Sequence, residues 1–157
     1  MKLIKDFNYK KILSLFLKQD GSPFFNAKGV AVGVFCGCFP FFGFQTLLGL
    51  FLARLAKGNL FLAALGTWIS NPFTYIPLYF FNYKVGSSFF KSSPDIIFDK
   101  NLNLDALWEQ GRIFSLRLIL GSALVGFLFA VVSGGIVFLL YKRRIKKDYI
   151  NIPNKFN

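Results

Sequence analysis

Hydrophobic positions in this chain gather into three long runs that contain no Asp, Glu, Lys, Arg or His: Gly29–Ala53, Gly58–Tyr83 and Leu118–Tyr141. Each exceeds the roughly 20 apolar residues that a bilayer-spanning helix needs. The pattern predicts an all-α integral membrane protein. The third run is the plainest, with Ser122, Gly126, Ala130 and Gly134 recurring every four residues. That spacing predicts an unbroken C-terminal transmembrane helix with one bare face, which a neighbouring helix can approach closely. Tyr141-Lys142-Arg143-Arg144 closes it with the aromatic and basic anchor of a membrane–water boundary.

The first two runs are interrupted. Gly29, Gly33 and Gly37 form another four-residue stripe, for which close helix packing is the expected use. Pro40 then removes a backbone donor and clashes with the preceding turn, and Gly43 adds local freedom. A helix should stop or kink here and resume near Gln45-Thr46. The second run holds Ser70-Asn71-Pro72-Phe73-Thr74-Tyr75-Ile76-Pro77 at its centre. Asn is a favoured N-cap and Pro a favoured first helical residue, so Asn71-Pro72 reads as the start of a new helix. At least one of the two proline-broken segments is expected to be re-entrant, because a reversal at membrane depth needs such a break.

Half-helix starts carry unpaired amides and partial positive charge, which attract anions. Two broken segments in succession also match the discontinuous helices that form binding sites near the midplane of transporters. Gln45, Thr46, Thr67, Ser70, Asn71, Thr74 and Tyr75 are therefore candidate substrate-binding residues, framed by Pro40, Gly43, Gly66, Pro72 and Pro77. The competing use of the same polar groups is to satisfy backbone freed by the prolines and to hold helices together.

Composition agrees with the pattern. The 157 residues suffice for one domain, and at 54% hydrophobic with 22 Phe they carry more apolar surface than a soluble domain of this size can bury. The formal net charge of +12 lies in the flanks of the runs, where the anionic bilayer surface is the nearest partner. Nucleic acid is not an expected partner. The absence of His, and of any acid within the runs, argues against proton-coupled transport and hydrolytic chemistry, so an enzyme is not expected. Cys36-Gly-Cys38 lacks further ligands for a metal and is too close for an unstrained disulfide. No cofactor is implied.

The remaining segments are shorter. Leu3, Ile4, Phe7, Ile12, Leu13, Phe16 and Leu17 approximate one helical stripe, with lysines mostly elsewhere, which predicts an amphipathic helix over residues 1–20 lying in the interface. The membrane domain is expected over 21–142. Within it, residues 84–117 should form an extracytoplasmic loop with a short interfacial helix around Trp108, and 143–157 a basic cytoplasmic tail. Six basic residues precede the first run through Lys28 and six follow from Lys142, so both ends should face the cytoplasm and the number of crossings should be even. Making the first run re-entrant also keeps Arg54 and Lys57 inside, and partitions charge better than the alternative. The small-residue stripes suggest a homo-oligomer.

Pro40-x-x-Gly43-x-Gln45-Thr46 and Gly66-Thr67-x-x-Ser70-Asn71-Pro72-x-Thr74, together with Gly21-Ser22-Pro23 and the terminal span, resemble the DUF2062 family of small bacterial membrane proteins. The resemblance covers residues 20–142. It implies a multi-pass protein of the inner membrane. Some relatives carry neighbouring glycosyltransferase domains, which implies partners in envelope polysaccharide or lipid-carrier traffic.

Overall fold

The computed structural model describes residues 21–41, 43–90 and 104–150, with side chains of the last segment described over 108–146. The expected interfacial helix over 1–20, residues 91–103 of the expected loop over 84–117 and the end of the basic tail lie outside the described residues. Among the described residues the chain is helical throughout, with five α-helices and one 3-10 turn.

Helix α1, Pro23–Gly37, begins where Ser22 accepts the Phe25 amide at 3.1 Å and Pro23 occupies the first helical position, which has no amide to lose. It ends at Cys38, two residues before Pro40. Gly43 turns the chain with φ +82°, a conformation that favours glycine. Helix α2, Phe44–Leu55, follows and returns along α1. At the far end of this hairpin Lys57 adopts φ +51°, and the Lys28 ammonium donates to the Ala56 carbonyl. The first hydrophobic run is thus two short helices folded together. Neither reaches the roughly 30 Å of a bilayer core, since 15 and 12 residues extend about 22 and 18 Å.

Helix α3, Leu60–Gly66, is capped by Asn59 and passes into the 3-10 turn Thr67–Ile69. It runs beside α1 in the same direction. A Cβ added at Gly29 would lie 2.3 Å from the Asn59 carbonyl oxygen, one at Gly33 2.1 Å from that of Ala63, and one at Gly37 2.8 Å from that of Thr67. The glycine stripe of α1 and the backbone of α3 are therefore in van der Waals contact along three successive turns. Helix α4, Tyr75–Ser87, follows the second break.

Helix α5, Leu104–Ile150, is a single 47-residue rod. The short interfacial helix expected around Trp108 is the first part of this rod and not a separate element. No proline lies between Pro94 and Pro153, and Gly111 alone cannot stop a helix whose neighbours favour it. Within α5, Trp108–Lys146 is long and apolar enough to cross a membrane, and only 28% of its most apolar window is buried.

Along α5 the other elements take an order. Gly134 meets Ala27 and Ala31, Gly126 meets Phe35 and Cys38, Gly121 meets Asn82, and Gly86 of α4 meets Arg117. Helices α1 and α4 both run antiparallel to α5. The end of α4 lies about 13 Å beyond the end of α1, the rise of the nine residues from Gly126 to Arg117. The buried core is small, centred on Ala27, Val30, Val34, Leu62, Val137 and Tyr141, while large side chains such as Phe44, Trp68 and Phe73 stay exposed.

Candidate functional site

The two breaks meet. Phe44 opens α2, so Gln45 and Thr46 stand in its first turn, and they face the 3-10 turn that ends the first half of the second run. Ser70 Oγ donates to Gln45 Oε1 at 3.1 Å, and the Thr46 and Thr67 hydroxyls lie 3.1 Å apart. Thr67 already donates to the Ala64 carbonyl at 2.7 Å, so the proton between the two threonines comes from Thr46. Thr67 is fully buried, whereas Gln45, Thr46 and Ser70 are half-buried. Gly49, one turn further along α2, lets the Thr67 methyl group approach to 2.9 Å of where its Cβ would be. The result is a half-open polar seam with no charged member.

Asn71 and Thr74 lie beside the seam but serve their own turn. Asn71 Oδ1 accepts the amides of Phe73 and Thr74 at 2.9 and 3.2 Å, with Pro72 between, as a capping residue does. The Asn71 carbonyl accepts the Tyr75 amide at 3.0 Å. Thr74 Oγ1 accepts the Asn71 amide and donates to the Ile69 carbonyl at 2.6 Å. The cap is thus at Asn71, while regular α-helix begins only at Tyr75. The amides it covers are occupied by the chain itself and are not open to a ligand. Pro77 lies in the first turn of α4, where its missing amide costs nothing, so Pro72 alone belongs to this break. The Tyr75 ring packs at 6.3 Å from that of Tyr79, whose hydroxyl donates to the Phe39 carbonyl at 3.1 Å. Gly66 carries the close approach of α3 to Val30 and Val34 of α1.

Gln45 keeps one group uncommitted. Ser70 takes one end of its amide, and the other has no partner among the described residues. Whichever way the amide is turned, one polar end is left over, and Gln45 is only half-buried. Phe44 and Trp68, the chain neighbours of Gln45 and Thr67, and Phe73 in the second break are 71%, 70% and 92% exposed.

Three buried polar groups escaped the sequence reading or were underrated by it. Asn82 is fully buried and donates to the Cys38 carbonyl at 2.9 Å and to Ser122 at 3.0 Å, tying the first break to α4 and α5. Asn26 is also fully buried and accepts from Asn59 Nδ2 at 2.8 Å. Arg117, 2% exposed, donates to the Tyr83 hydroxyl at 3.1 Å. A signal existed for two of them: Asn26 precedes Gly29 by three residues and Arg117 precedes Gly121 by four, which puts each on a close-packed small-residue face. Cys36 and Cys38 are buried free thiols, and no cluster of metal-ligating side chains occurs among the described residues.

The family model for uncharacterized proteins conserved in bacteria, DUF2062, matches residues 8–149. This chain belongs to the DUF2062 family. The match extends beyond both motifs, so the hairpin, the seam and most of α5 are parts of one family domain. No curated protein and no solved structure matches the chain.

Proposed function

We propose that this DUF2062 member is a multi-pass protein of the bacterial inner membrane that binds or moves an anionic lipid-like or envelope-precursor substrate at the seam, without catalysing a reaction on it. The observation that carries this reading is the meeting of half-buried Gln45 and Thr46 with Thr67 and Ser70 across the two breaks, with no charged group among them. Polar side chains in lipid are costly and tend to face a site or one another. A midplane site is supported by where α1 ends: Gly37 and Cys38 close it beside Gly126, about 5 Å from the centre of the charge-free stretch Leu118–Tyr141.

In this arrangement α1 and α2 enter and leave on the cytoplasmic side, and the second run crosses as the broken pair α3 and α4. Helix α5 returns the chain, so both ends are cytoplasmic. The return of Ala56 to Lys28 supports the first part. The extra 13 Å or so that α4 gains over α1 along α5 supports the second.

A second reading, a non-transporting assembly subunit, draws on the fact that Thr46, Thr67, Asn71 and Thr74 all find partners within the protein. Gln45→Ala separates the two. For a binding seam, native mass spectrometry of the full chain in mild detergent shows a retained lipid-like species that the variant loses, with an unchanged thermal midpoint. For a packing seam, the variant lowers folded yield and changes nothing bound.

A further inference from the structure

Side chains between α1 and α5 are too small to fill the space between the two helices. Ala27 and Ala31 meet Gly134 there, with Ala130 beside them, and leave a furrow of about 350 Å³ walled by Phe24 and Phe138. A second hollow of about 370 Å³ shares Ala31, Ala130 and Val131 with the first and continues to Phe35, Leu52 and Phe127. Together they follow α1 from Phe24 to Phe35, about 16 Å.

The furrow is apolar along its length and cationic at one end. Lys28 is its sole charged lining residue, with its ammonium 5.1 Å from the centre of the Phe24 ring, and Lys142 stands 6.0 Å over Phe138. Both lysines therefore perch on the rings that form the mouth. Arg143 and Arg144 follow on α5. None of the lining residues is acidic, and the nearest acid past Lys142 on α5 is Asp148, six residues further along the helix.

We propose that the furrow between α1 and α5 holds an acyl chain of an anionic phospholipid, whose phosphate sits at the mouth against Lys28 and Lys142. The shape fits a chain and the charge fits a phosphate. A second copy of this protein, inserted in the same sense, would bring its own Lys28, Lys142, Arg143 and Arg144 to the same level and be repelled. The leading segment 1–20 carries five lysines against two aspartates and is the wrong sign as well. The proposal rests on the chain being embedded in a membrane, but not on the seam binding anything.

The test titrates the delipidated full-length protein with phosphatidylglycerol or phosphatidylcholine of the same chains and counts the first bound copy by native mass spectrometry. Phosphatidylglycerol is expected to bind more tightly, with about a fivefold loss on Lys142→Gln, the value of one basic side chain at an anionic headgroup. Gly135→Leu should abolish the first bound copy at an unchanged thermal midpoint, because Gly135 lines the furrow and a Cβ there meets nothing within 4 Å. Gln45→Ala should leave this binding intact, which keeps the test separate from that of the seam. Equal retention of the two lipids, or undiminished phosphatidylglycerol binding by Gly135→Leu or by Lys142→Gln, overturns the proposal. So does a dimer that Gly135→Leu dissociates, or a gain in lipid affinity on deleting residues 1–20.

Discussion

Gly86→Ala or Gly121→Ala is expected to detach α4 from α5 and remove most folded protein. A Cβ at Gly86 would lie 1.7 Å from the Arg117 carbonyl oxygen, and one at Gly121 would lie 1.7 Å from that of Asn82. The obstacle in each case is helix backbone, which cannot swing away as a side-chain tip could. Relief requires the helices to separate, which breaks the bonds of Asn82 to Cys38 and Ser122 and uncovers Arg117. The cost should reach or exceed the upper part of the ~1–3 kcal/mol range for overpacking, because buried polar groups lose partners as well. Fluorescence-detected gel filtration after a thermal ramp reads this directly. Gly111→Ala is the control: it meets nothing within 4 Å and lies in an exposed part of α5, so it should be neutral or slightly stabilising.

Asn59→Ala is the second change with a large expected effect, since this one side chain does two jobs. Its oxygen caps α3 through the Leu62 amide at 3.1 Å, and its nitrogen donates to Asn26. Loss of a cap costs about 1 kcal/mol. Orphaning the Asn26 oxygen adds about 1–3 kcal/mol, because Asn26 is fully buried. The Asn26 nitrogen already has no partner among the described residues, so the variant leaves that whole amide unsatisfied. Asn59→Asp keeps the cap but loses the donor, and should fall between the wild type and Asn59→Ala in thermal midpoint. Equal midpoints for Asn59→Ala and the wild type would show that the pair contributes nothing.

Much of this architecture is written locally. Pro40 and Gly43 mark the first reversal because one cannot donate and the other tolerates φ +82°. Ser22-Pro23 and Asn71-Pro72 mark capped starts for the same reason in both places: a short oxygen-bearing side chain ahead of a residue without an amide. Where the reading fell short, the deciding contact was distant in sequence. Nothing near Gln45 shows that Ser70 will answer it, and nothing near Asn82 points to the Cys38 carbonyl 44 residues away. The length of α5 escapes for a different reason. Trp108 reads as the anchor of a separate interfacial helix, although no breaker divides it from Leu118.

Glycine spacing proved informative in a way that composition was not. The stripe at Gly29, Gly33 and Gly37 lies against the backbone of α3 within the same chain, and Gly126 and Gly134 lie against α1. These faces are used internally, so self-association, where it occurs, must draw on other surfaces. Exposed Phe80, Phe81 and Leu128 offer apolar area of that kind.

In the proposed topology the first hydrophobic run turns back inside the bilayer while the second crosses it through a break. Single cysteines at Lys57 and at Ser88, both exposed, placed in a chain with Cys36 and Cys38 replaced, test it with a membrane-impermeant maleimide. Ser88→Cys is expected to react on intact spheroplasts and Lys57→Cys only once the membrane is opened. Labelling of Lys57→Cys on intact spheroplasts, or of both positions from one side, would contradict it.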